Sequence, residues 1–213
     1  METFDRAAIK MEAKQVLVRN RSQCIMMTLC VLVVEMVTVA VSAGILTALL
    51  NGLLVVTSAG FFVSCWRDTP ITVSQAISET FDEGFLRKLG GMLWMDLKVF
   101  LWSLLFIIPG IIKSLSYAMT PYLLRDYPNI PAMDASVISE RMMRGHRADV
   151  FIAQLSFLGW QLLGAMTFGI LTVLFVEPYQ QISMAGIFEE IKQLALDQGV
   201  VSQEELDGGL QHY

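Results

Sequence analysis

The sequence predicts an all-α, polytopic membrane protein, with about six short transmembrane helices in hairpins and amphipathic helices on the membrane surface. Three observations carry this expectation. Of 213 residues, 54% are hydrophobic and only 16% charged, with a mean hydropathy of +0.56; a soluble domain carries about 25% charged residues. The deficit is uneven, because apolar stretches alternate with charged ones, and only apolar side chains pass cheaply into hydrocarbon. The basic residues also segregate. All 15 Lys and Arg except Lys98 and Lys113 fall in the N-terminal segment, in 67–91, in 125–149 or in the C-terminal segment. Flanks of that kind mark the cytoplasmic side of a membrane.

Glu2 to Arg21 reads as an amphipathic surface helix, with Phe4, Ala8, Met11 and Val18 on one side and basic residues around the rest. The apolar run that follows is too long for a signal-peptide core and has no small-residue cleavage site in the right place, so it is expected to act as a signal anchor. From Cys24 to Trp66 the only charge is Glu35. The stretch exceeds one span of about 20 residues, and the turn residues Ser42–Gly44 divide it into helices over 23–42 and 47–66. Arg67-Asp68-Thr69-Pro70 ends the second. Val73, Ile77, Phe81 and Phe85 then recur every four residues, which predicts an apolar stripe on another surface helix, with Glu79, Asp82 and Glu83 off the row.

The block from Met92 to Leu124 is interrupted at Pro109-Gly110, where a missing backbone donor and a weak helix former predict a break. A polar loop follows, then a basic amphipathic segment with Arg141, Arg144, His146 and Arg147. The last apolar block, from Val150, is broken near Gly169 and again at Glu177-Pro178. With hairpin turns at Pro109-Gly110 and Thr167–Gly169, six helices put every basic region on one side. Four helices would put Arg125, Arg141, Arg144 and Arg147 outside. The helices around Pro109-Gly110 are short: about 15 residues, or roughly 22 Å, against a hydrocarbon core of about 30 Å. They must be re-entrant, tilted or extended into the interface.

Two parts of the chain read alike. Ile77-Ser78-Glu79, Gly84, Trp102, Gly110-Ile111 and Pro121-Tyr122 recur in order as Ile138-Ser139-Glu140, Gly145, Trp160, Gly169-Ile170 and Pro178-Tyr179. We expect one membrane domain over 1–190 with an internal repeat, 71–124 and 132–188, followed by an acidic cytoplasmic tail over 191–213. Repeats of one orientation relate by an axis along the membrane normal.

The runs Leu101 to Tyr122, Met142-Met143-Arg144-Gly145-His146 and Leu155-Ser156-Phe157-Leu158-Gly159-Trp160 resemble the bacterial integral membrane family known as domain of unknown function 975. The resemblance extends over most of the chain. It implies a bacterial plasma membrane location and leaves the molecular role open.

Candidate sites are intramembrane charges. Glu35 stands near mid-helix, where a carboxylate costs several kcal/mol unless protonated, paired or wet. It is read either as an ion or proton site paired with Lys113 or Lys98, or as a structural interhelical contact. Lys113, just after the Pro-Gly turn, is placed near the outer face, where it can snorkel; Asp96 and Lys98 lie near the inner interface. Glu177 is a second intramembrane carboxylate. Pro109, Gly110 and Gly169 are assigned to hairpin turns, and Pro121 and Pro178 to helix kinks. Cys24, Cys30 and Cys65 read as small buried hydrophobes.

Phosphate loops, dinucleotide turns, nucleophile elbows and metal-binding helix pairs are lacking in the sequence, so an enzyme is not expected, nor any cofactor. The net charge of −5 gives no support for nucleic-acid binding. The expected partners are the lipid bilayer and a membrane protein or a second copy. The functional expectation is a multi-pass component, both termini cytoplasmic, that binds a partner or lipid in an accessory role to transport or export. The alternative is a small oligomeric transporter or channel using Glu35 and Lys113.

Overall fold

The computed structural model describes residues 4–41, 45–81, 84–105, 107–167, 169–208 and 210, and these form helices and turns without a strand. In chain order the helices are α1 (Arg6–Arg19), α2 (Arg21–Val41), α3 (Ile45–Trp66), α4 (Val73–Phe81), α5 (Phe85–Leu105), α6 (Ile107–Ser116), α7 (Thr120–Asp126), α8 (Ala132–Met142), α9 (Arg147–Leu155), α10 (Leu158–Met166), α11 (Glu177–Asp197) and α12 (Gln203–Gly208). A π-helical stretch, Thr172–Val176, leads into α11.

Local chemistry sets the helix starts. The Asp5 carboxylate accepts from the Ala7 and Ala8 amides at 2.9 and 3.2 Å and caps α1. Thr72 and Gln75 form a reciprocal capping box at α4, with Thr72 N–H donating to Gln75 Oε1 (2.8 Å) and Gln75 N–H to Thr72 Oγ1 (3.3 Å). Ser202 and Glu205 repeat the device at α12. Gly84 (φ 89°) and Gly145 (φ 92°) follow α4 and α8. Both positions need left-handed backbone, which only glycine adopts without strain.

Two helical windows are long and apolar enough to cross a bilayer. They are Arg21–Thr38, with mean hydropathy 1.4, and Arg147–Met166, with mean hydropathy 1.2; Leu50–Trp66 in α3 is a shorter apolar stretch. Only 22% of each window is buried inside the protein, so most of their apolar surface faces outward, unlike that of a soluble core helix. Of the six spans expected, the rest fall short for visible reasons. α6 has 10 residues, and α5 carries Arg87, Lys88, Asp96 and Lys98.

The core lies where α3 packs against α5, α7 and α11, with α1 laid along α11. Phe61, Phe62, Leu123, Leu124, Ile182 and Phe188 are fully buried there. Close approach depends on small residues. A Cβ at Gly186 would overlap the Trp66 ring, and one at Gly60 would overlap the Arg125 stem.

The predicted surface-helix faces need correction. In α1 the buried residues are Ile9, Ala13, Val16 and Leu17, whereas Ala8, Met11 and Val18 are exposed. In α4 Val73 is buried with Ala76 and Thr80, but Ile77 and Phe81 are exposed. These segments carry apolar residues on two faces, and periodicity cannot say which face packs on protein. Asp82 and Glu83 and the Ser42–Gly44 turn lie outside the described residues.

The turn residues also differ in position. Pro109 and Gly110 lie inside α6, not in the turn before it. A proline in the first turn of a helix forfeits no hydrogen bond, because that N–H has no partner there. Gly110 instead sits flush against Ser103 of α5. Gly169 (φ 82°) does turn, its N–H donating to Gly164 O at 2.9 Å. Pro121 starts α7 and Pro178 starts α11. Pro121 occupies the donor-free first turn of α7 and kinks no helix interior, whereas Pro178 stands where the π-helical stretch passes directly into α11.

The polar C-terminal stretch is folded onto the rest. α11 runs on to Asp197, Val201 and Leu206 are buried, and the Leu210 amide donates to Asp134 Oδ2 at 3.0 Å.

Candidate functional site

The intramembrane charges named from sequence fall into two separate groups. Lys98 and Lys113 stand on the facing legs of the α5–α6 hairpin, on either side of Tyr117. Lys98 Nζ donates to Ser136 Oγ at 2.9 Å and lies 5.1 and 5.3 Å from the Trp94 and Tyr117 ring centres. Lys113 Nζ binds Glu140 Oε1 at 2.7 Å and lies 5.4 and 5.6 Å from Trp102 and Tyr117. The aromatic faces offset part of the cost of withdrawing two ammonium groups from water. Ser136 and Glu140 are both on α8, so each lysine is tied to the same helix. Ser139 fixes that helix in place, accepting from the Met119 amide at 3.2 Å and donating to Ser116 O at 2.9 Å. Burial pushes the Glu140 carboxyl up, but the Lys113 hydrogen bond and the charges of Lys113, Arg147 and Arg144 outweigh it and hold Glu140 below the usual carboxylate range. Lys113 thus sits in one polar layer with Lys98 and α8.

The second group is Glu35 with Glu177. Both line a cavity of about 190 Å³ between α2, α3, the π-helical stretch and α11, together with Thr28, Ser58, Thr172 and Gln181. Gln181 Nε2 donates to Glu177 Oε1 at 2.9 Å. Among the described residues no Lys or Arg lines the cavity and Glu35 forms no ion pair. In place of the expected pairing with Lys113 or Lys98, Glu35 shares a cavity with another carboxylate. The cause is the hairpin geometry, which carries both lysines to α8.

Sequence reasoning missed the longer-range ion pairs. Arg67 Nε donates to Glu189 Oε1 at 2.6 Å while its Nη2 binds Asp126, which joins the end of α3 to α7 and α11. Arg125 pairs with Glu79, and Arg141 Nη1 with Glu205 Oε1 at 2.8 Å. The Arg141 bond and the Ser202 amide hold Glu205 below its ordinary range. No local pattern signals partners up to 122 residues apart. Tyr122 and Tyr179 are buried packing residues: Tyr122 stacks on Phe188 at 5.0 Å, and Tyr179 OH donates to Lys10 O at 3.3 Å. Among the described residues, no three His, Cys, Asp or Glu side chains gather as metal ligands would.

The segment holding Lys113, Glu140 and Glu177 is also the one that other sequences share. Residues 106–195 match the family described as Protein of unknown function (DUF975). The DUF975 match begins at the start of α6 and ends within α11. It is narrower than the resemblance read from the sequence, and Glu35 and Lys98 lie outside it. No curated protein and no solved structure matches the chain.

Proposed function

We propose that this chain is a multi-pass protein of the bacterial plasma membrane, with both termini cytoplasmic. We take it to be a non-catalytic component that binds lipid or a membrane partner in an accessory role to transport or export. The observation that carries the reading is the distribution of exposed apolar side chains. They cover the outer faces of α2, α5, α6, α9 and α10 and include residues near the helix ends, Leu104 at 74%, Ile108 at 72% and Met166 at 79% exposed. In water such a surface marks a membrane or protein contact. The ion pairs instead join helix ends and surface helices, as in Arg19–Asp68, Arg67–Asp126 and Arg141–Glu205.

The hairpins reach different depths on this reading. α2 has 21 residues, roughly 31 Å, enough for the hydrocarbon core. The polar layer formed by Lys98, Lys113 and α8 lies about seven residues from the α5–α6 tip on each leg, or about 11 Å. That hairpin dips into the membrane and returns. Single cysteines in a cysteine-free background test this with an impermeant maleimide on intact cells. Val41→Cys, at the end of α2, is expected to react from outside, and Ile108→Cys to stay protected until the membrane is dissolved. Equal labelling of both from outside would make α5–α6 a full crossing. Protection of both would remove the α2–α3 crossing.

The Glu35–Glu177 cavity favours a second reading, a small oligomeric transporter that passes a cation or proton between the two carboxylates, without Lys113. Glu35→Gln is then expected to abolish ion flux in reconstituted vesicles while the fold persists. Flux equal to that of the unaltered chain would eliminate this reading.

A further inference from the structure

The run Met142-Met143-Arg144-Gly145-His146 touches the two sites above only through the charge of Arg144 on Glu140. It closes α8: the Arg144 amide donates to Arg141 O and the His146 amide to Met143 O, both at 3.2 Å. The left-handed Gly145 then reverses the chain. The reversal carries His146 inside, 5% exposed, and leaves Arg144 outside. The buried imidazole has nothing to bond to. Its Nδ1 is sealed from solvent and makes no hydrogen bond, and its aromatic neighbour Phe4, with ring centres 6.2 Å apart, offers no acceptor. Folded proteins rarely leave a buried polar nitrogen unsatisfied.

His146 lines a cavity of about 300 Å³ with Arg141, Arg144, Gln198 and Val200, between the end of α8 and the stretch that follows α11. Arg141 is already engaged, through Nη1 with Glu205 at 2.8 Å and through Nη2 with Val200 O. Arg144 forms no ion pair among the described residues, and the Gln198 carboxamide makes no hydrogen bond there. Arg144 and Gln198 therefore line the same cavity as His146 without an ion pair or side-chain hydrogen bond of their own among the described residues, and Arg144, whose charge also acts on Glu140, makes the cavity positive.

We propose that this cavity binds a phosphate-bearing anion. A guanidinium gives two parallel N–H bonds to two phosphate oxygens. The tetrahedral anion still presents oxygens in other directions, toward the Gln198 amide and the edge of the His146 ring that lines the cavity. A carboxylate, with its oxygens in one plane, fills the set less completely. The same chemistry is offered by an anionic phospholipid headgroup and by free phosphate or its esters. The headgroup source rests on the membrane reading, in which α8, with Met133 and Val137 exposed, lies at headgroup level. The free-phosphate source does not depend on it.

The test uses the full chain with Arg144→Gln and His146→Gln as variants. In detergent, inorganic phosphate is titrated by calorimetry; in nanodiscs, retention of phosphatidylglycerol over phosphatidylcholine is read by native mass spectrometry. The unaltered chain is expected to bind one probe, and each variant to weaken that binding about tenfold, the scale of one charge-assisted hydrogen bond. Phosphate binding in detergent assigns the site to the soluble anion, and selective phosphatidylglycerol retention alone assigns it to the headgroup. No binding of either, or binding unchanged in both variants, overturns the proposal. Arg144 is exposed and forms no ion pair among the described residues, so its variant keeps the test decisive even if His146→Gln does not fold. The maleimide experiment fails or succeeds independently of the phosphate titration.

Discussion

Phe188→Ala is expected to lower the stability of this protein by about 4 kcal/mol. Phe188 is fully buried, where α11 packs on α3 and its ring meets Tyr122 of α7. Its ring stacks on Tyr122, with centres 5.0 Å apart and planes 18° from parallel, and the Lys192 ammonium lies 5.2 Å from the ring centre. Truncation removes most of a buried side chain and leaves a cavity that rigid helices cannot close. Cavities of that kind cost about 3–5 kcal/mol for Phe→Ala, and the lost stacking falls within that range. The neighbouring helix contact admits no compensating slide, because Gly186, two residues earlier, already rests against Trp66. Unfolding in detergent micelles checks the value. Phe188→Leu, which keeps most of the volume, is expected to cost about 1 kcal/mol. Leu104→Ala at the exposed hairpin tip is expected to cost nearly nothing, since no protein packs on it. A Phe188→Ala variant within about 1 kcal/mol of the parent, far below the usual cavity cost, would mean that α11 is not the core helix described.

The contrast between Phe188 and Leu104 shows where sequence reading stops. Helices α2 and α3 were legible because a long apolar run with one charge, Glu35, admits little else. Expected limits of 23–42 and 47–66 became Arg21–Val41 and Ile45–Trp66. Which apolar residues pack on protein was not legible. In a soluble helix the apolar stripe is the buried one. In α1 and α4 both the packed face and the outer face carry apolar residues, so Met11, Val18, Ile77 and Phe81 give the same signal as Ile9 and Val16 and have the opposite fate. Within the packed face the distinguishing residues are small, Gly60 and Gly186, and hydropathy gives them little weight. The Pro109-Gly110 break was nearly right because proline does mark a helix boundary; it simply stands after the boundary instead of on it. The candidate site suffered most. Glu35 and Glu177 were each found from local sequence, but their shared cavity joins residues 142 positions apart in the chain, a distance about which local pattern is silent.

That regrouping has a measurable consequence at Lys113. Lys113→Met is expected to destabilise by about 2 kcal/mol. Lys113 and Glu140 are 22% and 26% exposed, so the cost lies between the roughly 3–5 kcal/mol of breaking a fully buried pair and the value of about 1 kcal/mol or less for a surface one. With Lys113 gone, Glu140 keeps Arg147, at 3.8 Å, and the more distant charge of Arg144, and a carboxylate held below its ordinary range by its cations loses the nearest of them. Glu140→Gln removes that stranded charge, so the double variant Lys113→Met/Glu140→Gln should be less unstable than the two single effects added together, by about 1–2 kcal/mol. The same cycle run with Glu35→Gln in place of Glu140→Gln should be additive to within about 0.5 kcal/mol, because the structure puts no contact between Lys113 and Glu35. Additivity at Lys113–Glu140 would dissolve the polar layer and with it the reason for a shallow α5–α6 hairpin. Coupling at Lys113–Glu35 would restore an intramembrane ion pair and move the lysine into the Glu35–Glu177 cavity, where its charge would compete with any cation bound between the two carboxylates.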